Sequence, residues 1–165
     1  MPMKNKWIII AAVVGLCSCR PHKQYPIEPV LEFESIVKID NGTGIDDEAV
    51  LTVSFTDGDG DLGWDEYENT DTSSENYYNY FITYFEKQNG VWVTPEGLEN
   101  NFHVRLPRFL SGNITEAIDG KIAHTVNINN YNSEYDTIHF ECYVVDRAGH
   151  KSNVVTTPEV IVKKY

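Results

Sequence analysis

The chain has 165 residues and a mass of 18.8 kDa, a size typical of one domain with short additional segments. It carries 25 acidic and 13 basic residues, a formal charge of −12, which argues against nucleic acid as a partner because phosphate binding needs a basic surface. The hydrophobic content of 41% argues against intrinsic disorder.

The N-terminus resembles the signal sequence of a bacterial lipoprotein. Two lysines precede the apolar run Trp7–Leu16, whose ten residues are about half of what a membrane-spanning helix needs. The segment LCSC that closes this run resembles a lipobox, with an aliphatic residue at −3, a small one at −1, and Cys19 as the lipid acceptor. The alternative is an ordinary secreted protein cleaved nearby.

The lipobox resemblance predicts the anchoring and the location of the mature protein. Residues 1–18 would be removed as signal peptide, and acyl chains on Cys19 would attach the protein to the membrane. Residues 19–29 contain three prolines and no apolar period, which predicts an extended tether. The tether lacks the acidic cluster that often follows the lipidated cysteine of surface-exported lipoproteins. This favours the periplasmic side of the outer membrane over display on the cell surface.

The remainder of the chain is predicted to form β-strands. Apolar residues alternate with polar ones in several short windows, and none of them sustains a helical period. Asn89-Gly90 between two of the windows is a strong hairpin signal. The predicted strands are Val30–Asp40, Ala49–Thr56, Tyr77–Gln88, Val91–Val93, Phe102–Phe109, Ile122–Ile128, Thr137–Val145 and Val154–Lys163, the last interrupted by Pro158.

Seven or eight short strands without intervening helices predict an all-β fold, an antiparallel β-sandwich over residues 30–165. An immunoglobulin-like Greek key is the leading topology, and a jelly roll is the alternative. Cys142 is the single cysteine left in the mature chain, so no internal disulfide can form. It lies on the apolar side of a predicted strand, which favours a buried structural role over a catalytic thiol.

An acidic segment follows the second predicted strand. Asp57, Asp59 and Asp61 alternate with glycines, which lets the three carboxylates curl toward one point. Carboxylate groups crowded in this way repel one another, and oxygen ligands favour calcium over zinc or copper. The segment therefore predicts a Ca²⁺ site, with a solvated acidic turn as the alternative.

Further ligands follow from a comparison with the calcium loop of an EF-hand. In that alignment the Gly63 carbonyl, Asp65 and Glu68 would complete the set, although Leu62 stands where the EF-hand has glycine. In an immunoglobulin-like order a later loop, which contains Asp146, emerges at the same end of the sandwich. Asp146 is therefore a further candidate ligand, or the aspartate of an ordinary turn.

Two segments and the lipobox together resemble a family of small Bacteroidetes outer-membrane lipoproteins of unknown function. The segments are FTDGDGDLG at 55–63 and DRAGHKSNVVTTPEV at 146–160. The resemblance implies an outer-membrane location and an immunoglobulin-like fold, and it implies no known activity.

Two functions are compatible with these features. The first is a noncatalytic, lipid-anchored protein with a calcium-stabilised domain in a structural or protein-interaction role. The alternative is a glycan-binding accessory protein of a nutrient-uptake system, with Trp64 and Trp92 as candidate ligand contacts. A cluster of tyrosines near Trp92 could form a platform for sugar rings or serve as ordinary strand residues: Tyr77, Tyr78, Tyr80 and Tyr84. No nucleophile, phosphate-binding or zinc motif is present, so we expect no enzymatic activity.

Overall fold

The computed structural model describes residues 24–98, 102–110, 112 and 115–164. Within these ranges the chain forms strands and no helix, and so it contains no helix long and apolar enough to cross a membrane. Cys19 and the predicted signal peptide lie outside the described residues. The strands are β1 (Val30–Lys38), β2 (Glu48–Asp57), β3 (Tyr80–Gln88), β4 (Val91–Val93), β5 (Ile118–Asn127), β6 (Thr137–Val144), β7 (Val155–Thr156) and β8 (Val160–Ile161).

The strands form two antiparallel sheets that face each other as a sandwich. One sheet has the order β1-β2-β5, and the other has the order β4-β3-β6-β7, with β8 also paired to β6. The connections from β2 to β3, from β4 to β5 and from β5 to β6 cross between the sheets, whereas the other neighbours in sequence pair or share an edge. The predicted all-β antiparallel sandwich is confirmed, and the two strand orders match an immunoglobulin-like Greek key better than a jelly roll.

The core lies between the sheets and follows the predicted alternation. In β2 every second residue is buried, among them Leu51 and Val53, and in β3 Ile82 and Tyr84 face them from the other sheet. Each fully buried aliphatic side chain stabilises the fold by about 1.5–3 kcal/mol relative to an exposed one. Cys142 on β6 is a free cysteine with no exposed surface, which confirms its predicted burial.

One side chain joins the edges of the two sheets by forming backbone hydrogen bonds of the kind that a neighbouring strand would form. The side chain of Asn153, between β6 and β7, accepts a hydrogen bond from Leu31 N at 2.9 Å and donates one to Leu31 O at 2.9 Å. An amide offers one acceptor and two donors, so it can satisfy both backbone groups of a residue on β1. The first strand is thereby held to the second sheet.

The predicted strand Phe102–Phe109 is absent. The segment forms isolated bridges instead, Val104 with Tyr80 and Pro107 with Trp64. Proline has no N–H with which to form a ladder hydrogen bond. In addition, the segment pairs with Tyr80 and with Trp64 within only four residues, from 104 to 107. The result is an irregular connection that lies across the beginning of β3.

The end of the sandwich remote from the acidic segment contains a buried carboxylate. Glu86 on β3 has no exposed surface and accepts hydrogen bonds from Gln88 Nε2 at 2.6 Å and Ser133 Oγ at 2.7 Å. Lys164 closes the same region by donating to the carbonyl oxygens of Asn130 and Ser133 at 2.9 and 2.8 Å. The hydrogen bonds offset the cost of burying the charge and hold the loop after β5.

Candidate metal centre

Asp57 organises the acidic loop from its position as the last residue of β2. The residue is fully buried, and its carboxylate accepts hydrogen bonds from Gly60 N at 3.3 Å and Leu62 N at 2.8 Å. These bonds fold the loop back over the end of the strand. Burial raises the pKa of Asp57, and the neighbouring Asp59 carboxyl raises it further, against the lowering effect of the Leu62 N–H.

The three alternating aspartates converge as predicted. One carboxylate oxygen each from Asp57, Asp59 and Asp61 lies within 4.8 Å of the other two. Oxygen ligands 2.3–2.6 Å from one calcium ion are separated by at most about 5 Å, so the cluster has the dimensions that Ca²⁺ coordination requires. The sequence thus predicted this juxtaposition correctly.

Two oxygens of the cluster are left without partners. Asp59 Oδ1 and Asp61 Oδ1 are buried, and neither accepts a hydrogen bond from any described residue. A buried carboxylate oxygen without a partner is costly, and more so when two other carboxylates lie nearby. Burial and the charges of Asp146 and Asp59 accordingly raise the pKa of Asp61. The donor set and its unpaired oxygens fit a bound cation.

The glycines of the loop are required by close packing of backbone. A Cβ atom at Gly58 would lie 2.3 Å from Tyr25 O, one at Gly60 2.1 Å from Glu116 O, and one at Gly63 2.3 Å from Pro107 O. Three other parts of the chain therefore meet the loop at its glycines. Tyr25 belongs to the predicted tether, so the end of that segment lies against the domain.

Two of the proposed ligands, Asp65 and Glu68, form contacts outside the cluster. Asp65 Oδ2 forms an ion pair with Arg108 Nη1 at 2.8 Å, and Glu68 Oε2 accepts a hydrogen bond from Asp65 N at 2.9 Å. Gly63 has a φ of +94° and packs against Pro107. After Gly63 the chain bonds to residues 106 and 108 through Trp64, and the EF-hand alignment of Gly63, Asp65 and Glu68 with the ion stays a prediction.

Asp146 lies beside the cluster but is engaged by a histidine. Its fully buried carboxylate accepts a hydrogen bond from His150 N at 2.7 Å and pairs with His150 Nδ1 at 2.9 Å. The same loop reaches the cluster through Ala148 N, which donates to Asp61 Oδ2 at 3.0 Å. The two loops therefore meet at the predicted end of the sandwich, and the charge of Asp146 acts on Asp61.

A cleft of about 500 Å³ opens between the later part of the β2–β3 connection, from Trp64 onward, and the loop that contains Asp146. Trp64 and Arg147 line it from either side, together with Tyr78 and Phe81. Trp64 is only 8% exposed, and both its Nε1 and Arg147 Nη1 are buried with no hydrogen-bond acceptor in the described part of the chain. Besides the aspartates, this end of the sandwich therefore also contains two buried N–H donors without a hydrogen-bond acceptor.

Two of the four tyrosines considered for a sugar platform are ordinary core residues. Tyr80 and Tyr84 point into the core and are 0% and 1% exposed, because they share a face of β3 with Ile82. Trp92 is half-buried on β4, where its ring contacts His139 with centroids 4.2 Å apart and faces the Lys87 ammonium group at 5.2 Å. Trp64 and Trp92 therefore belong to different surfaces.

Sequence reasoning missed the contacts of His150 and Arg108. The spacing of four residues between Asp146 and His150 was a usable signal for an ion pair. Arg108 carried no signal, since it is 43 residues from its partner Asp65. No protein-family model matches the chain, and no significant match was found among curated proteins or solved structures.

Proposed function

We propose that this protein is a noncatalytic, calcium-stabilised immunoglobulin-like domain with a structural or protein-interaction role, anchored to the outer membrane through a lipid on Cys19. The observation that carries the calcium part is the convergence of three aspartates with two unpaired, buried carboxylate oxygens. The anchor rests on the lipobox-like sequence LCSC.

Electrostatics supports a cation over an empty acidic turn. Two carboxylates about 4 Å apart repel by about 4 kcal/mol at an effective dielectric constant of 20. Three such groups gathered at the end of a strand, one of them fully buried, would push the loop open unless a positive charge offset the repulsion. Arg147 acts on Asp61 through its charge, but it forms no ion pair with any described aspartate.

A bound ion would stabilise more than one loop. The acidic loop touches the backbone at Tyr25, Glu116 and Pro107, and through Asp61 it touches the loop that contains Ala148. Calcium at this point would link the beginning of the domain to the connection between β4 and β5 and to the loop between β6 and β7. The three carboxylates lie together in one short loop, an arrangement that supports a structural role over a catalytic one.

Calcium should raise the melting temperature. Extracellular-type sites dissociate at about 10⁻⁴–10⁻³ M, so 10 mM calcium would add about 1.4 kcal/mol or more, a shift of about 4 °C. Thermal unfolding of the whole chain in calcium, in magnesium and in EDTA measures this shift. Asp59→Asn and Asp61→Asn should each reduce it, whereas Asp71→Asn, a similar change on an exposed loop, should leave it intact.

The alternative outcome is a melting temperature that is the same in EDTA and in calcium. The aspartates would then form a solvated turn, and the calcium proposal would be wrong. Magnesium should act more weakly, since it gives up water reluctantly and demands octahedral geometry. Equal shifts with Asp59→Asn and Asp71→Asn would likewise show that calcium acts elsewhere.

A further inference from the structure

We propose that two copies of this chain associate by pairing their β5 strands edge to edge, antiparallel about a twofold axis at Ala123. The proposal goes beyond the calcium site and the lipid anchor and requires neither. It rests on an open sheet edge, on side chains that do not protect that edge, and on free backbone groups whose spacing is self-complementary. Addition of a strand to a sheet edge is a recurring mode of protein recognition.

The outer backbone groups of β5 have no partner strand. β5 lies at the end of its sheet and, among the described strands, pairs with β2 alone. Ile128 N donates to Asp47 O at 2.8 Å directly beyond this ladder, and hydrogen-bonded pairs alternate along an antiparallel ladder. The even-numbered residues of β5 therefore bond to β2, and the backbone groups of the odd-numbered residues point outward. In the described part of the chain, no hydrogen-bond partner occupies the outward groups of Lys121, Ala123 or Thr125.

The other described edge strands have features that discourage pairing. β4 has three residues, and β7 and β8 have two each. β1 contains a bulge between Phe33 and Ser35, and the side chain of Asn153 occupies the backbone groups of Leu31. Short length, bulges and covering groups are the usual protection of a sheet edge. β5 instead has ten residues, no proline and no bulge, so its edge can accept another strand.

The side chains of β5 leave the edge unprotected. An outward lysine is a common way to repel another strand, but Lys121 Nζ forms an ion pair with Glu34 Oε2 on β1 at 2.8 Å. That contact crosses β2, so the lysine side chain extends over its own sheet. Ala123, Thr125 and Asn127 follow on the same face, and all three are exposed and uncharged. A second strand would therefore meet no unpaired lysine along this part of the edge.

A second copy offers a strand of the same length, with free backbone groups at the same spacing. With the axis at Ala123, Lys121 of one copy lies opposite Thr125 of the other, and Asp119 lies opposite Asn127. No like charges face each other, which favours antiparallel pairing in this register. The two three-stranded sheets would join into one sheet of six strands.

The inner side of β5 is compatible with the same register. Ile122 is buried and His124 is half-buried, and the axis at Ala123 places Ile122 of one copy opposite His124 of the other. Each pair would extend the apolar core across the junction. The net charge of −12 on each chain opposes association at long range, and salt screens that repulsion.

Cross-linking tests the pairing and its register. The whole chain is purified in a detergent whose micelles outnumber the protein, at about 0.15 M salt, where charges more than about 8 Å apart are screened. In the dimer the two Ala123 Cα atoms would lie about 5.5 Å apart, and the two Asn127 Cα atoms about 27 Å apart. A bismaleimide that spans about 10 Å, two strand spacings, should cross-link Ala123→Cys at least about tenfold more than the matched variant Asn127→Cys. Wild type gives the background from its native cysteines.

A proline at the axis tests the backbone hydrogen bonds. Ala123→Pro removes one outward N–H from each copy, and an edge strand tolerates proline where the N–H faces solvent. The dissociation constant of the dimer in sedimentation velocity should rise about tenfold or more, because two hydrogen bonds are lost. Ala123→Ser keeps the N–H and should associate like wild type. Melting curves establish that each variant is folded, and the cysteine variants keep the test open if Ala123→Pro unfolds.

A wild-type chain that stays monomeric throughout a concentration series would overturn the proposal, as would equal cross-linking of the two cysteine variants. A dimer that Ala123→Pro does not weaken would also overturn it, because association would then use another surface. Association that persists in EDTA and in Cys19→Ala supports the β5 edge whatever the calcium and anchor experiments show.

Discussion

At the scale of single residues, the pair Asp146–His150 shows how a buried charge is accommodated. The fully buried Asp146 carboxylate has two donors on one residue, His150 N and the His150 ring. The hydrogen bond and charge of Asp146 raise the pKa of His150, and the more remote charges of Glu28 and Asp59 act in the same direction. The imidazolium form is therefore favoured in the folded state.

The pair predicts a pH dependence of stability with a definite sign. A histidine with a raised folded pKa contributes stability that is complete below its unfolded value of 6.5 and is lost as pH rises through the folded pKa. The stability advantage of wild type over His150→Gln should therefore shrink as pH rises above 6.5. Urea unfolding of wild type and His150→Gln in EDTA, at a series of pH values, measures this difference in stability.

His124 provides a control of opposite sign. Burial lowers the pKa of this half-buried histidine on β5. The advantage of wild type over His124→Gln should therefore grow as pH rises toward 6.5. A difference between wild type and His150→Gln that did not change with pH would contradict the ion pair with Asp146.

Cys142 is expected to be unreactive in the folded protein. Burial raises the pKa of its thiol, so the nucleophilic thiolate is scarce and shielded from solvent. A maleimide should label Cys142 slowly under native conditions and rapidly in urea, as followed by mass spectrometry. Labelling at similar rates in both conditions would show that β6 opens readily.

At the scale of elements, the conformation of the acidic loop depends on close packing of its backbone as much as on the charges of its aspartates. Gly60 has a φ of +70°, and a Cβ there would lie 2.1 Å from the backbone oxygen of Glu116. Backbone atoms cannot move aside as flexible side chains can. The loop therefore needs glycine at this position whether or not a cation binds.

Gly60→Ala should destabilise the protein by about 3 kcal/mol or more, since backbone strain and overpacking add. Gly42 is the matched control, because its φ of +77° is similar and nothing lies within 4 Å of its Cβ position. Gly42→Ala should cost only about 1–2 kcal/mol from strain. Equal losses in urea unfolding for the two variants would mean that the contact with Glu116 is unimportant.

At the scale of the whole molecule, the proposed anchor must compensate for an unfavourable charge. A chain with a net charge of −12 is repelled by an anionic membrane surface, so its own charge cannot hold it there. Acyl chains contribute about 0.8 kcal/mol per buried methylene, and two or more chains make a stable attachment. Lipid on Cys19 would provide that attachment.

Cys19→Ala should therefore release the protein from membranes. The measurement is the fraction that sediments with membranes after a carbonate wash, by immunoblot. Cys17→Ala is the matched control, because it alters the neighbouring cysteine of the LCSC segment and should leave the sedimenting fraction unchanged. Undiminished sedimentation of Cys19→Ala would contradict the anchor.

The strands and the three converging aspartates could be predicted from the sequence because they depend on local pattern. Alternation placed Leu51, Val53 and Cys142 on inward faces, since a strand turns each successive side chain to the opposite side. The Asp-Gly repeat directly after β2 allowed Asp57, Asp59 and Asp61 to converge within one short loop. No distant contact was needed for either result.

Only the tertiary structure decided which other residues join the cluster and what surrounds it. Asp65 is held by Arg108, and Trp64 packs against Pro107, through contacts that span more than forty residues. Arg147 meets Trp64 across a cleft because two connections emerge at the same end of the sandwich. Such pairings depend on the order of strands in the sheets and on close packing of the backbone. Neither of these produces a repeating pattern of residues in the sequence.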